Sequence, residues 1–138
     1  MKKIAGVMIA LVTLVLCFAL SACGAKYVSH CNASSMKSKN TSNNASVSFG
    51  SFSGVYVMQL DSNGEEVFIT YEATLATGNI KVYYDFNDEK QDLFQIESDG
   101  SVKDKTESFI SDQIIYIIIE SDGKCNEGSF SFVLEKAE

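Results

Sequence analysis

The segment Glu66–Ala76 constrains the fold of this chain most, because its side chains alternate with a period of two. One face carries the residues Val67, Ile69, Tyr71, Ala73 and Leu75. The intervening positions carry Phe68, Thr70, Glu72 and Thr74. Successive side chains of a β-strand point to opposite faces, so this spacing predicts a strand with one face against a core.

Further short apolar segments follow the same pattern and are separated by Gly, Asn and Asp. Asn63-Gly64 is the strongest of these hairpin signals. We predict strands at 54–60, 66–76, 80–85, 93–97, 113–120 and 129–135, with an acidic loop at 86–92 and mostly loop at 102–109. Short strands at this spacing indicate an all-β fold, and we predict an antiparallel, jelly-roll-like β-sandwich of six to eight strands.

The segment Ile114–Ile119 is apolar on both faces, which predicts a central strand covered on both sides. Left at an edge, such a segment would promote aggregation. The predicted core consists of Val57, Ile69, Tyr71, Leu75, Ile80, Val82, Tyr84, Ile115, Ile117, Ile119, Phe130, Phe132 and Leu134.

The N-terminal segment has the three parts of an export signal. Lys2 and Lys3 are followed by uncharged residues from Ile4 to Ala22, which predict a signal helix. Leu20-Ser21-Ala22-Cys23 resembles the bacterial lipobox, and the chain looks like a small Gram-positive lipoprotein. The resemblance implies cleavage before Cys23 and a diacylglyceryl group on its sulfur, which would hold the protein at the extracytoplasmic face of the cell membrane. An uncleaved membrane helix and a plain secreted protein are the alternatives.

The composition divides the chain into three parts. Residues 1–22 form the signal peptide, 23–51 a lipidated cysteine and a flexible linker rich in Ser, Asn and Lys, and 52–138 the β-sandwich domain. Residues 52–138 carry six Lys against 18 Asp and Glu. Such an acidic domain is not expected to bind nucleic acid through its phosphates.

Two cysteines remain after Cys17 leaves with the signal peptide and Cys23 is lipidated. Cys31 and Cys125 would lie outside the cytoplasm, where a disulfide can persist. A bridge between them and two free thiols are both open, because a sequence does not show whether two sulfur atoms meet.

Two candidate binding sites follow from residue type. Asp85, Asp88, Glu89 and Asp92 crowd one loop, and their hard oxygen ligands would suit Ca²⁺, although Asp residues are also common turn formers. Tyr56 and Tyr83 are predicted on outward faces, where they could stack on a glycan, or else pack beneath a second sheet. No other cofactor is indicated.

Catalytic equipment is lacking. The only histidine, His30, lies in the predicted linker, so neither a hydrolase triad nor a histidine-based zinc site can be assembled in the domain.

The order of predicted strands and turns resembles that of pre-peptidase C-terminal domains. The segments that carry the resemblance are Thr70–Tyr84, Ile114–Ile119 and Gly128–Phe132. That resemblance implies a non-catalytic sandwich and assigns no site residue. The sequence therefore predicts a binding or structural module of the cell envelope, with an unknown envelope protein or glycan as its partner.

Overall fold

The structure, a computed structural model, describes residues 26–138. These residues form ten strands: β1 (His30–Ser34), β2 (Lys37–Asn40), β3 (Asn44–Leu60), β4 (Glu66–Thr77), β5 (Asn79–Phe86), β6 (Glu89–Glu97), β7 (Gly100–Lys105), β8 (Phe109–Ile110), β9 (Ile115–Ser121) and β10 (Cys125–Lys136). Within this range no helix is long and apolar enough to cross a bilayer. The predicted signal helix and Cys23 lie outside the described residues.

All strand pairs are antiparallel, and the 17-residue strand β3 is shared between two layers. Its residues 55–60 pair with β9, which continues to β5 and β6. Its residues 44–52 pair with β10, which continues to β4 and β7. We call these layers the β9 sheet and the β10 sheet; β2 pairs with β3 at residues 45–48 and extends the β10 sheet. The fold is an all-β antiparallel sandwich, as predicted.

Gly54 lies where β3 passes from one sheet to the other. Its φ is +115°, and a Cβ there would lie 2.4 Å from the carbonyl oxygen of His30 on β1. Glycine is the residue that tolerates both this backbone conformation and this close approach. Strands that change sheets commonly do so through such local bends.

Aromatic side chains fill the space between the layers. The Phe94 ring of β6 stacks on Tyr71 of β4, with centroids 5.0 Å apart, and reaches Phe130 and Phe132 of β10 at 6.3 Å. Phe109 stacks on Phe86 at 4.3 Å. Burial of these rings removes apolar area from water and holds the two sheets together.

The prediction of a central strand at Ile114–Ile119 is confirmed. β9 lies between β3 and β5, and Ile115, Ile117, Ile118 and Ile119 are buried. The number of strands is ten rather than six to eight. The additional strands are β1 and β2, from the predicted linker, and β7 and β8, from segments predicted as turn and loop. The acidic loop shrinks to a tight turn at Asn87 and Asp88, both with positive φ, which lengthens β6.

The prediction of a flexible linker up to residue 51 is wrong over residues 30–51. β1 and β2 pair with β3, whose first half buries Ala45, Val47 and Phe49 in the core. The polar residues of β1 and β2 form strands because backbone hydrogen bonds to β3 require no apolar side chain. The folded domain therefore begins before the boundary predicted at residue 52.

Candidate functional site

The segment that leads into β1 is fastened to the outer face of the β9 sheet. The Lys26 ammonium lies 2.9 Å from Oδ2 of Asp85 on β5 and 3.1 Å from Oδ1 of Asp88. The Tyr27 hydroxyl donates a hydrogen bond of 2.5 Å to Asp85 Oδ2, and its ring meets Tyr116 of β9 edge-on at 5.3 Å. We call these contacts the N-terminal clamp.

The clamp changes the titration of the groups that it joins. The hydrogen bond to Asp85 raises the pKa of Lys26 above its ordinary value, although burial acts in the opposite direction. Burial, followed by the hydrogen bond to Asp85, raises the pKa of Tyr27. Lys26 therefore remains charged and Tyr27 neutral at physiological pH.

The four acids predicted as calcium ligands are not brought together as a set. Asp85 is buried beneath the clamp, and the Lys26 ammonium lies between Asp85 and Asp88. Glu89 and Asp92 lie on β6 and are exposed. Over residues 26–138, no three side chains of His, Cys, Asp or Glu converge in a way that could hold a metal ion.

The two predicted stacking tyrosines have different surroundings. Tyr56 is partly buried and packs against the core, so it has the predicted alternative placement beneath a second sheet and not the outward one. Met58 and Leu60 mark the inward face of this half of β3, and Val57, predicted in the core, lies on the other face. Tyr83 does lie on the outer face of the β9 sheet, but the Lys90 ammonium covers its ring, 4.2 Å from the centroid.

Cys31 and Cys125 are both free thiols, so the structure contains the unbridged alternative. Cys31 pairs with Gly54 on one side of β3, and Cys125 pairs with Phe52 on the other side. Two strand spacings separate them by roughly 9–10 Å, more than the ~7 Å limit on the Cα distance of a disulfide. Cys125 is fully buried, and its Sγ donates a weak hydrogen bond to the Asn79 carbonyl at 3.6 Å.

The outer face of the β10 sheet carries rows of hydroxyl side chains between lysines. The strand register places in one row the residues Lys39, Ser46, Ser131, Glu72 and Lys103. It places in the neighbouring row Lys37, Ser48, Ser129, Thr74 and Ser101. Each row crosses five strands. Lysines occupy both ends of the first row and the β2 end of the second, and the positions between them carry hydroxyl side chains together with the carboxylate of Glu72.

Two open grooves run along this face and meet at Ser131. The larger, of about 400 Å³, is lined by Thr70, Tyr71, Glu72, Lys103, Asp104, Lys105, Ser131 and Val133. The smaller, of about 240 Å³, is lined by Lys37, Ser38, Lys39, Ser46, Val47, Ser48, Ser129, Phe130 and Ser131. Together they form one shallow trough across the sheet, which we call the hydroxyl trough.

The sequence interpretation did not find the hydroxyl trough. Three of its strands lie in segments that the sequence predicts as linker or loop: β2, the first half of β3, and β7. A signal was present, because polar and apolar residues alternate from Asn44 to Phe49 in the manner of a half-buried strand. The lysines at the edges gave no such signal, since only strand pairing brings residues 37–39 and 103–105 onto one face.

Known proteins resemble this chain in fold. The chain matches no protein-family model and no curated protein. The structure of TmCBM61 in complex with β-1,4-galactotriose is 14% identical and has a TM-score of 0.52, with 79% of this chain and 88% of that one covered. A family 29 carbohydrate-binding module is 12% identical with a TM-score of 0.39 over 79% and 81% of the two chains. A structure described as CBM4 is 12% identical with a TM-score of 0.38 over 77% and 81%. At such identities the similarity to TmCBM61 establishes the sandwich fold alone.

Proposed function

We propose that this chain is a non-catalytic, glycan-binding protein of the cell envelope, held at the extracytoplasmic face of the membrane by a lipid on Cys23. The hydroxyl trough carries the proposal. It is open along its length, and its hydroxyls and amphipathic walls are the kinds of group that bind the hydroxyls and apolar faces of sugars. That TmCBM61, of the same fold, was obtained in complex with a galactotriose is a further support.

The clamp supports an orientation that suits this role. Lys26 lies on the outer face of the β9 sheet, and Cys23 precedes it by three residues, a reach of at most about 10 Å. A lipid on Cys23 would therefore hold the β9 sheet near the membrane. The hydroxyl trough, on the opposite face of the sandwich, would point away from the lipid toward the cell wall.

The lipid anchor is tested by intact-mass analysis of the protein recovered from bacterial membranes. We expect a mature chain that begins at Cys23 and carries a diacylglyceryl group. We expect the Cys23→Ala variant to leave the membrane fraction. A mature chain that begins at any other residue would refute the anchor.

Glycan binding is tested with the full chain in detergent against immobilised neutral and acidic polysaccharides, including β-1,4-galactan. Ser131→Gln places a larger side chain where the two grooves meet, so we expect binding at least about fivefold weaker with an unchanged melting temperature. Thr77→Gln, an exposed position outside the grooves, is the matched control and should bind as the wild type does. Failure of the wild type to bind any polysaccharide, or unchanged binding by Ser131→Gln, would overturn the proposal.

A further inference from the structure

The edges of the hydroxyl trough have the opposite charge to the rest of the molecule. The chain has a formal net charge of −7, yet four of its eleven lysines lie along this one face. Lys37 and Lys39 are on β2 at one edge, and Lys103 and Lys105 are on β7 at the other. All four side chains are exposed.

None of these four lysines forms an ion pair with another residue in the range 26–138. The salt bridges between described residues involve Lys26 and Lys136, and none of them includes a lysine of the trough. Lys105 lies over the Phe68 ring, 5.5 Å from its centroid, which leaves its ammonium free to meet an anion. These lysines could therefore pair with a negatively charged ligand without the loss of an ion pair between described residues.

The acids on this face are concentrated in and beyond the larger groove. Glu72 and Asp104 line that groove beside Lys103 and Lys105, and Glu66 and Glu135 lie toward one end of the face. The smaller groove has two lysines and no acid in its lining. The smaller groove therefore has a positive charge, which attracts an anion.

The separation of the two cationic edges sets the size of the ligand. Five strands spaced ~4.8 Å apart place β2 and β7 roughly 19 Å from each other. A single small anion cannot meet both edges at once. A chain molecule with repeated negative charges can, while its uncharged parts lie on the hydroxyls of Ser46, Ser131 and their neighbours.

We infer that the ligand of the hydroxyl trough is an acidic glycan chain, which lies across the β10 sheet with its negative groups at the lysines of both edges. This inference rests on the proposed function and narrows it to anionic polysaccharides. The ligands that fit this arrangement have in common a negative group, either a carboxylate or a phosphodiester, repeated along a chain that carries many hydroxyls. The lysines provide attraction and orientation, and the central hydroxyls provide hydrogen bonds.

The test compares polygalacturonate with the same polymer after methyl esterification, which removes the charge and keeps the backbone. We expect the full chain in detergent to bind the charged form at least tenfold more tightly at low salt. The preference should fall as ionic strength rises, because exposed charges are screened. A parallel measurement with poly(glycerol phosphate) distinguishes carboxylate from phosphodiester as the preferred anion.

Variants show whether the edges act together. We expect Lys39→Ala combined with Lys103→Ala to bind the charged polymer about tenfold more weakly and the esterified polymer unchanged. Lys124→Ala, in the turn between β9 and β10, is the matched control and should change neither. The wild type could bind the charged and esterified polymers equally, while Ser131→Gln still weakens binding of both. That result would overturn the inference of an acidic ligand and leave the proposed glycan binding in place. Absence of binding to every polymer would refute both.

Discussion

Lys26 and Asp85, 59 positions apart in the sequence, form an ion pair in which Nζ lies 2.9 Å from Oδ2 and the Asp85 side chain is only 3% exposed. The pair joins the chain next to the expected lipid attachment site to the middle of the β9 sheet. A buried carboxylate needs such partners, because desolvation without them is costly. The clamp therefore determines which face of the sandwich would lie nearest a lipid on Cys23.

Removal of the ammonium should loosen the clamp. We expect Lys26→Met to lower the melting temperature by about a few degrees, because among residues 26–138 Asp85 then keeps only Tyr27 as a side-chain partner. Exchange of the Val57 amide hydrogen, which bonds to Ser29 Oγ at 2.8 Å, should become faster. In a double-mutant cycle with Asp85→Asn the two losses should not add, whereas Lys81→Met on the same sheet face should have little effect. Additive losses would show that the two groups are not coupled.

Gly128 should not tolerate a side chain. A Cβ at this position of β10 would lie 2.3 Å from Cζ of Phe49, within the core. We expect Gly128→Ala to reduce the free energy of unfolding by about 1–3 kcal/mol, as overpacking usually does. Gly50→Ala, whose nearest contact would be 3.3 Å, should cost less, and Phe49→Leu should partly rescue Gly128→Ala. Denaturant unfolding measures the two alanine variants, Phe49→Leu alone, and Phe49→Leu combined with Gly128→Ala. Equal losses for the two alanine substitutions would contradict the packing.

The two thiols should differ in reactivity. Cys31 is partly exposed and Cys125 is fully buried, so a thiol reagent should label Cys31 in the folded protein and Cys125 only after unfolding. Mass spectrometry of the labelled peptides shows which thiol reacts first. The Cys31→Ser variant should fold as the wild type does and should lack the fast labelling. A protein isolated under oxidising conditions with both thiols unreactive before and after unfolding would instead indicate the disulfide.

Stability should fall at alkaline pH, in part through Cys125. Burial raises the pKa of this thiol above its ordinary value. As pH rises, the unfolded chain therefore loses the proton first and binds fewer protons than the folded chain does. The resulting stabilisation is complete below the unfolded pKa, roughly 8.5, and is lost as pH passes through the folded pKa.

Guanidinium unfolding at pH values from 7 to 10 measures this effect. The loss of stability over that range should be smaller in Cys125→Ala than in the wild type. Tyr71 and Tyr84, whose pKa values burial also raises, contribute equally to both proteins at higher pH. An identical pH dependence in the two proteins would exclude a contribution from the thiol.

Several elements could be predicted from local pattern alone. The alternation in Glu66–Ala76 and the two-sided apolar run of β9 correspond closely to observed strands, because side-chain period follows directly from strand geometry. Which residues of β3 point into the core could not be predicted along its whole length. Ala45, Val47 and Phe49 point inward at odd positions, whereas Phe52, Met58 and Leu60 do so at even positions. The alternation shifts between Phe49 and Phe52, and so Tyr56 lies on the same face as Met58 and Leu60 and faces the core.

The order of apolar and polar residues along single segments is enough to predict an antiparallel β-sandwich with β9 at its centre. Three features become visible only in the folded molecule: residues 30–51 join the sheets, Lys26 covers Asp85, and lysines 66 positions apart border one trough. Those features depend on which strands pair and in which register. Backbone hydrogen bonds between strands are largely independent of side-chain type, so composition does not reveal them.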